Sequence, residues 1–305
     1  MTNDNPARRS SLMAAYAAIS IVFVLICVKA GAYYMSGSVS ILSSLTDSIV
    51  DSLVSVAALM SIYYSHRPAD EDHRWGHGKM EAVSALFQSA MIVGGGAFLV
   101  FESVNRITNP EPVQQHMLGI TVMVISIVLS IILVRIQRKA LDVHDSLAVE
   151  ADSAHYGSDI IVNVGVITVL AASAYGAPLW IDPLFALVVA VFMAYLARNI
   201  AQKAMDVLLD RELPDEDRNK IIGIIESHSD VTGWHDLRTR KNGTITVIAF
   251  DMEADGDLTL RAAHNIAKDI ENGILEFFPL SEVFIHIDPH DDLDDARHRV
   301  KGVHH

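Results

Sequence analysis

Residues 39–64 read VSILSSLTDSIVDSLVSVAALMSIYY, and Asp47 and Asp51 are the only charged side chains in this stretch. A helix needs about 20 mostly apolar residues to cross the hydrocarbon core of a bilayer, so the stretch is long enough to do so. A carboxylate at the bilayer centre costs about 2.5–3.5 kcal/mol on insertion scales. Such a group persists where it faces a partner, water or an ion. The stretch therefore predicts a membrane helix with a functional polar face.

The composition of the whole chain agrees with a membrane protein. Of 305 residues, 51% are hydrophobic and 20% are charged, and the mean hydropathy is +0.31, which is unusual for a soluble domain. Residues 210–305 hold 11 Lys and Arg against 21 Asp and Glu, whereas residues 1–209 hold 12 against 16. We therefore expect an apolar membrane part followed by an acidic domain, and this acidity argues against nucleic acid as a partner. The single cysteine, Cys27, excludes a disulfide framework within one chain.

Six apolar segments are long enough to be membrane helices. They are residues 12–34, 39–64, 80–105, 117–137, 147–175 and 178–208. The first is too long for a cleavable signal peptide. Lys and Arg gather before the first segment, between the second and third, at the end of the fourth and around the end of the sixth, and the alternate connections hold almost none. The positive-inside rule therefore predicts that both termini are cytoplasmic.

The sequence after the last apolar segment predicts a small α/β domain. A helix follows Pro214, two strands flank the Asn242-Gly243 turn, a second helix covers 258–277, and a short strand ends the domain. The order αββαβ predicts a sheet covered on one face by helices, of the ferredoxin-like or metallochaperone-like kind.

The predicted domains are a cytoplasmic N-terminus at 1–11, a six-helix transmembrane domain at 12–209, a cytoplasmic metal-binding domain at 210–289 and a disordered acidic tail at 290–305.

Two membrane segments carry polar stripes, because residues four apart share a helix face. The stripes are Ser44, Asp47, Ser48, Asp51 and Ser55 on the second segment and Asp152, His155, Asp159 and Asn163 on the fifth. Three carboxylates and one imidazole, from Asp47, Asp51, His155 and Asp159, suit a divalent first-row ion and above all tetrahedral zinc. The alternative is that each stripe only forms hydrogen bonds within the helix bundle. Asp152, near the start of its segment, is expected in interfacial water.

Two further groups of residues are candidate metal ligands. The loop after the second segment holds Asp70, His73 and His77, with His73 and His77 spaced to share a helical turn, although histidines also collect in solvated loops. The C-terminal domain holds a larger set, namely His235, Asp251, His264, His286 and Asp288. His286 and Asp288 are two apart on one strand and therefore point to the same face. The alternative is that several members of this set are plain surface residues.

Four motifs together resemble the cation diffusion facilitator family, close to its YiiP-type zinc and ferrous-iron efflux transporters. They are SSLTDSIVDSL (43–53), ADEDHRWGHGKMEA (69–82), EADSAHYGSD (150–159) and the pair GWHDLRTRKNG (233–243) and IHIDP (285–289). The resemblance covers residues 12–289. It implies a homodimeric, proton-coupled exporter of divalent cations in a bacterial inner membrane, most simply of zinc, with cadmium or ferrous iron as further substrates.

The resemblance also implies roles for individual residues. Asp47, Asp51, His155 and Asp159 would form the transport site, and Asp70, His73 and His77 the loop site. The two-metal cluster of the cytoplasmic domain would comprise His235, His264, His286 and Asp288, with Asp251 where close relatives carry histidine. Lys79 and Asp210 would form an interhelical salt bridge near the dimer axis.

Three other classes of protein share some of these features. An intramembrane metalloenzyme would commonly show an H-E-x-x-H string, and the sequence contains none, so an enzyme is not expected. A metal sensor would bind without transporting, and a passive channel would conduct only downhill. Flux measured in liposomes separates these two classes from an exporter.

Overall fold

The computed structural model describes residues 6–37, 39–108, 117–175, 178 and 180–290. The chain divides into two compact units, Met1–Leu208 and Leu209–His305. The first unit contains six long helices. They are α1 (Pro6–Ser36), α2 (Val39–Ser65), α3 (Met80–Thr108), α4 (Met117–Leu141), α5 (Leu147–Ala174) and α6 (Ile181–Leu208). The six predicted segments each coincide with one of these helices.

The described residues include five apolar stretches that are long enough to cross a membrane, over Arg8–Ser36, Ser44–Ser65, Met80–Asn105, Gly119–Leu141 and Pro183–Leu208. They lie in α1, α2, α3, α4 and α6. Helix α5 has 28 residues, which is also sufficient in length, and its first half carries acidic side chains and a histidine. All six helices are therefore long enough to cross a membrane, and α5 is distinguished by its polar first half.

Small side chains let the helices of the membrane unit approach one another closely. The core between α3 and α6 includes Ala82, Ala85, Ala197 and Ala204, all at most 1% exposed. Gly96 of α3 lies so near α6 that an added Cβ would contact the backbone of α6. Because apolar helices in lipid gain little from the hydrophobic effect, close packing of this kind supplies much of their attraction.

The second unit contains α7 (Asp215–Glu226), β1 (Gly233–Asn242), β2 (Ile245–Ala254), α8 (Leu260–Phe277) and β3 (Ser281–Pro289). The predicted order αββαβ is confirmed. Strand β2 is central, antiparallel to β1 and parallel to β3. The turn between β1 and β2 contains Gly243 with φ 61°, a conformation that glycine adopts without strain.

The two faces of this sheet have different chemistry. Ile248, Phe250 and Met252 of β2 are buried in a core with isoleucines of α7 and α8, such as Ile225 and Ile270. The intervening residues of β2 point to the other face because side chains alternate along a strand. One face of the sheet is thus filled by helices, and the other carries the polar residues described below.

Candidate metal centres

Three side chains of the membrane unit converge on one small volume: Asp51 of α2 and His155 and Asp159 of α5. Their ligand atoms all lie within 4.8 Å of one another. The Nε2 atom of His155 is 3.0 Å from Asp51 Oδ1 and 3.9 Å from Asp159 Oδ2. The three side chains are 22%, 12% and 30% exposed, respectively. One imidazole nitrogen and two carboxylates, drawn together and largely shielded, form a donor set that suits zinc.

Helical spacing accounts for this convergence. His155 and Asp159 are one turn apart on α5, and Asp51 reaches them from α2, which packs against α5. The other ring nitrogen of His155, Nδ1, is buried and has no hydrogen-bond partner among the described residues. Nε2 is therefore the atom that is directed at the carboxylates and that would bind an ion.

The structure does not bring Asp47 into this group. Asp47 lies one turn before Asp51 on α2 and its residue surface is exposed. Asp51, His155 and Asp159 are brought together as expected, and the role of Asp47 as a fourth ligand stays a prediction.

A second buried polar cluster lies one turn from His155, and sequence reasoning missed it. Asp152 is 3% exposed, so its expected place in interfacial water is wrong. Its Oδ2 accepts a hydrogen bond of 2.6 Å from Gln137 Nε2 of α4, and its Oδ1 accepts one of 3.4 Å from Ser55 Oγ of α2. Ser55 Oγ also contacts the Tyr156 hydroxyl at 2.7 Å. In the sequence, Asp152 already shares a helix face with Asp159, and that shared face is the signal that Asp152 is buried.

The second centre is the loop between α2 and α3. Asp70, His73 and His77 place ligand atoms within 4.8 Å of one another. Asp70 Oδ1 is 3.4 Å from His73 Nδ1, and Asp70 Oδ2 is 3.4 Å from His77 Nε2. The His77 side chain is 2% exposed, whereas the other two side chains are about half exposed. The loop thus joins one buried imidazole to two accessible ligands.

The expectation that His73 and His77 share a helical turn is wrong. Residues 66–79 form turns and bends, and α3 begins only at Met80. Gly76 has φ 78°, and its N–H donates to the His73 carbonyl at 2.9 Å, which closes a turn between the two histidines. Their ring centroids come within 4.6 Å of each other through this turn, without a helix.

Hydrogen bonds hold Asp70 in its charged form. Its Oδ1 accepts from the backbone N–H groups of His73 at 2.7 Å and Asp72 at 3.1 Å. The bond from the backbone N–H of His73 is the main reason that the pKa of Asp70 is lowered from its ordinary value. A carboxylate that stays ionised is a better metal ligand, because fewer protons compete for it.

The third centre lies on the sheet of the second unit. His235 of β1, Asp251 of β2 and Asp288 of β3 place ligand atoms within 4.8 Å of one another. His235 is paired with Asp251 in the strand register, and its Nε2 is 3.7 Å from Asp288 Oδ2. Asp251 alternates with the buried residues Phe250 and Met252 and therefore lies on the face of β2 opposite the core.

Two other predicted ligands of this domain have different positions. His286 Nε2 is 3.0 Å from Asp288 Oδ1, which confirms that these two side chains share a face of β3. His264 of α8 is exposed and is not a member of the three-residue group. It precedes the buried Ile266 by two residues and so lies off the buried face of α8. Its role as a ligand stays a prediction.

Lys79 and Asp210, which are predicted to form a salt bridge, belong to different units of the chain. Lys79 Nζ donates to the Leu208 carbonyl at 3.4 Å in the first unit. Asp210 Oδ2 is 3.3 Å from Arg240 Nη1 in the second. A salt bridge between Lys79 and Asp210 stays a prediction.

The predicted disordered tail begins at His290, whose backbone N–H donates to the Ala254 carbonyl of β2. The rest of the predicted tail, residues 291–305, lies outside the described residues.

Comparison with known proteins identifies the family. Residues 15–209 match the cation efflux transmembrane domain and residues 213–290 match the cytoplasmic domain of cation efflux proteins. The chain belongs to the cation efflux, or cation diffusion facilitator, family. It is a multi-pass membrane transporter of this family.

Two curated relatives in this family match most of the chain, and a solved domain structure matches about a quarter of it. The cation-efflux pump FieF of Shewanella oneidensis is 42% identical over 277 residues, which cover 91% of this chain and 93% of the relative. The cation-efflux pump FieF of Salmonella arizonae is 41% identical over 278 residues, covering 90% and 92%. The metal-bound C-terminal domain of the CzcD transporter from Thermotoga maritima is 28% identical and covers 26% of this chain and 92% of that chain, with a TM-score of 0.25.

The bonds around Asp152 generate a first prediction for this transporter. Gln137→Leu should lower the free energy of unfolding by about 1–3 kcal/mol, because it leaves a buried carboxylate without a strong donor. Adding Asp152→Leu should recover part of that loss, since an apolar pair needs no hydrogen bond. Thermal unfolding of the two single variants and the double variant in detergent measures the coupling. Strictly additive losses would contradict the contact.

The Asp70 hydrogen bonds generate a second prediction. Asp70→Asn keeps an oxygen for the two backbone donors but loses the charge, whereas Asp70→Ala loses both. We expect Asp70→Asn to weaken zinc binding at the loop while the amides of residues 72 and 73 stay protected, and Asp70→Ala to lose protection as well. Calorimetry and amide hydrogen exchange measure the two effects.

The pH dependence of the loop follows from the same bonds. Because the pKa of Asp70 is lowered, their stabilisation is complete above the ordinary carboxyl pKa of about 3.9 and is lost only as pH falls through the lowered value. Amide protection in the wild type should thus be the same at about pH 7 and about pH 5, both above that pKa. If amide protection is already weaker at about pH 5 than at about pH 7, Asp70 is not ionised as expected.

Proposed function

We propose that this cation efflux transporter exchanges cytoplasmic zinc for protons across the bacterial inner membrane, with cadmium or ferrous iron as further substrates. The observation that carries the proposal is the contact of one His155 nitrogen with both Asp51 and Asp159. Zinc accepts tetrahedral sets of imidazole nitrogen and carboxylate oxygen, and Asp47 would complete such a set. Here zinc is the substrate.

The same donor set supports coupling to protons. A metal ion binds the neutral imidazole and the ionised carboxylates, so protons and metal compete for the site. An imidazole in water has a pKa of about 6.5, so its protonation changes readily when the pH varies around neutrality. Protons entering from outside would displace the ion outward, and cytoplasmic zinc would displace the protons inward.

The orientation and the assembly belong to the same proposal. The distribution of Lys and Arg supports cytoplasmic termini, and the bacterial relatives support the inner membrane. The match of residues 213–290 to the cytoplasmic domain of cation efflux proteins supports a homodimer built on this domain. In it, the clusters around Asp288 and Asp70 would bind zinc as a regulatory or structural ion.

Zinc flux into proteoliposomes tests the proposal. An imposed pH gradient should drive zinc against its own gradient in the wild type, and Asp51→Ala should abolish the flux because it removes a ligand from the set. Ser52→Ala, at the next position of α2 and outside the cluster, is the matched control and should retain the flux. Flux that ignores the pH gradient would support a channel, and zinc binding without flux would support a sensor.

Metal selectivity supplies a further test of the site. His155→Asp converts it to oxygen ligands only, which suits a harder ion such as manganese. We expect the ratio of manganese flux to zinc flux to rise about tenfold or more, given the strong preference of imidazole for zinc over manganese. Competition between the two metals in liposomes measures this ratio. If an active His155→Asp variant keeps the wild-type ratio of manganese flux to zinc flux, His155 does not determine the metal selectivity.

A further inference from the structure

A buried lysine beside the transport site has no role in the mechanism described above. Lys29 of α1 is 8% exposed, and its Nζ donates to Ser48 Oγ at 2.7 Å and to the Ser44 carbonyl at 3.0 Å. Both acceptors belong to α2. Ser48 precedes Asp51 by three residues, so the ammonium lies against the α2 face that carries the site, about one helical turn from Asp51.

The transport site offsets part of the cost of burying this ammonium. A buried ammonium is costly in a low dielectric unless opposite charges are near. Burial disfavours the charged form of Lys29, and the carboxylates of Asp51, Asp47 and Asp159 oppose this effect. An ammonium has three donors and no lone pair, so Lys29 is not itself a metal ligand. Its influence on an ion in the site is electrostatic.

We propose that Lys29 sets the affinity of the transport site, because its positive charge weakens the binding of a divalent cation enough for the cation to be released. The proposal rests on the proposed function, since it concerns the same cluster. Lys29 attracts the carboxylates whether or not a metal is bound, but at a given distance it repels a divalent ion with twice the force it exerts on a singly charged one. Its charge therefore opposes divalent ions more strongly than singly charged ones.

A transporter gains from this arrangement because a site must both capture and release its ion. Two or three carboxylates in a low dielectric would hold a divalent ion very tightly. A permanent neighbouring cation offsets part of this attraction while leaving the ligand geometry intact. Ser48 and the Ser44 carbonyl fix where this charge lies, because two hydrogen bonds restrain an otherwise flexible side chain.

Equilibrium zinc binding tests the proposal in a His77→Ala, His235→Ala background of the full-length protein, which disables the loop and sheet clusters. At about pH 8, where free carboxyl groups are ionised, Lys29→Met should lower the zinc Kd by about tenfold. Lys29→Arg keeps the charge and should retain the Kd of the background. Lys139→Met, the same change at an exposed position on α4, is the matched control and should also retain it.

Transport kinetics supply a readout that a structural role would not move. In proteoliposomes, Lys29→Met should lower both KM and the maximal zinc flux, because tighter binding slows release. A lysine that only supports packing would lower the maximal flux without lowering KM or Kd. Should Lys29→Met fail to fold, Lys29→Gln, which keeps a donor for Ser48 but has no charge, carries the same expectations.

The outcomes separate this proposal from the proposed function. Asp51→Asn in the same background shows how much of the binding belongs to the transport site. If no zinc binding depends on Asp51, the proposed transport site is wrong, and the proposed role of Lys29 is wrong with it. An unchanged or higher Kd in folded Lys29→Met, with Asp51-dependent binding intact, overturns the role of Lys29 alone. A lower Kd that Lys29→Arg shares overturns it as well, since charge would not be the cause.

Discussion

Hydrocarbon supplies no hydrogen-bond partner or counter-charge, so the buried acidic side chains of this helix bundle depend on polar groups from neighbouring helices. His155 contacts Asp51 and so joins α5 to α2. Gln137 donates to Asp152 and joins α4 to α5, and Lys29 joins α1 to α2. Polar contacts thus connect α1, α2, α4 and α5 around the proposed transport site.

The remaining two helices combine close packing with polar contacts. Helices α3 and α6 pack on each other through a core that includes several alanines, and Gly96 allows close approach of the backbones. Gln88 Nε2 of α3 donates to the Ala148 carbonyl of α5 at 3.3 Å, and Lys203 of α6 pairs with Glu150 of α5. Among the described residues, neither α3 nor α6 contributes a ligand to the transmembrane cluster. The two helices therefore support α2 and α5, which carry the candidate ligands, by packing and by polar contacts.

The sequence was sufficient where a site depends on spacing within one element. The one-turn interval placed His155 and Asp159 on one face of α5, because helical geometry is local. Spacing alone did not show that Asp51 of α2, and not Asp47, would join them. The same reasoning failed for His73 and His77, since a positive φ at Gly76 closes a turn where the spacing suggested a helix. Alternation along β3 correctly put His286 on the same face as its neighbouring ligand.

The sequence was not sufficient where a site depends on how helices are rotated against each other. Nothing in the residues around Lys29 or Asp152 reveals that one donates to α2 and the other accepts from Gln137. The residues that form each of these contacts are 15 or more positions apart in the chain. Their contacts are set by the packing of the helices, which a single sequence does not display. The family match supplies the transport role and leaves such contacts to the structure.

The central strand of the second unit links the stability of this domain to its chemistry. Ile248, Phe250 and Met252 point into the core, and Asp251 between them points toward His235. A slip of one residue in the pairing of β2 would expose the core residues and bury the carboxylate, because the two faces alternate with a period of two. Correct folding and assembly of the candidate ligand face are consequently a single event, and a misregistered domain would lose its fold and its candidate metal ligands together.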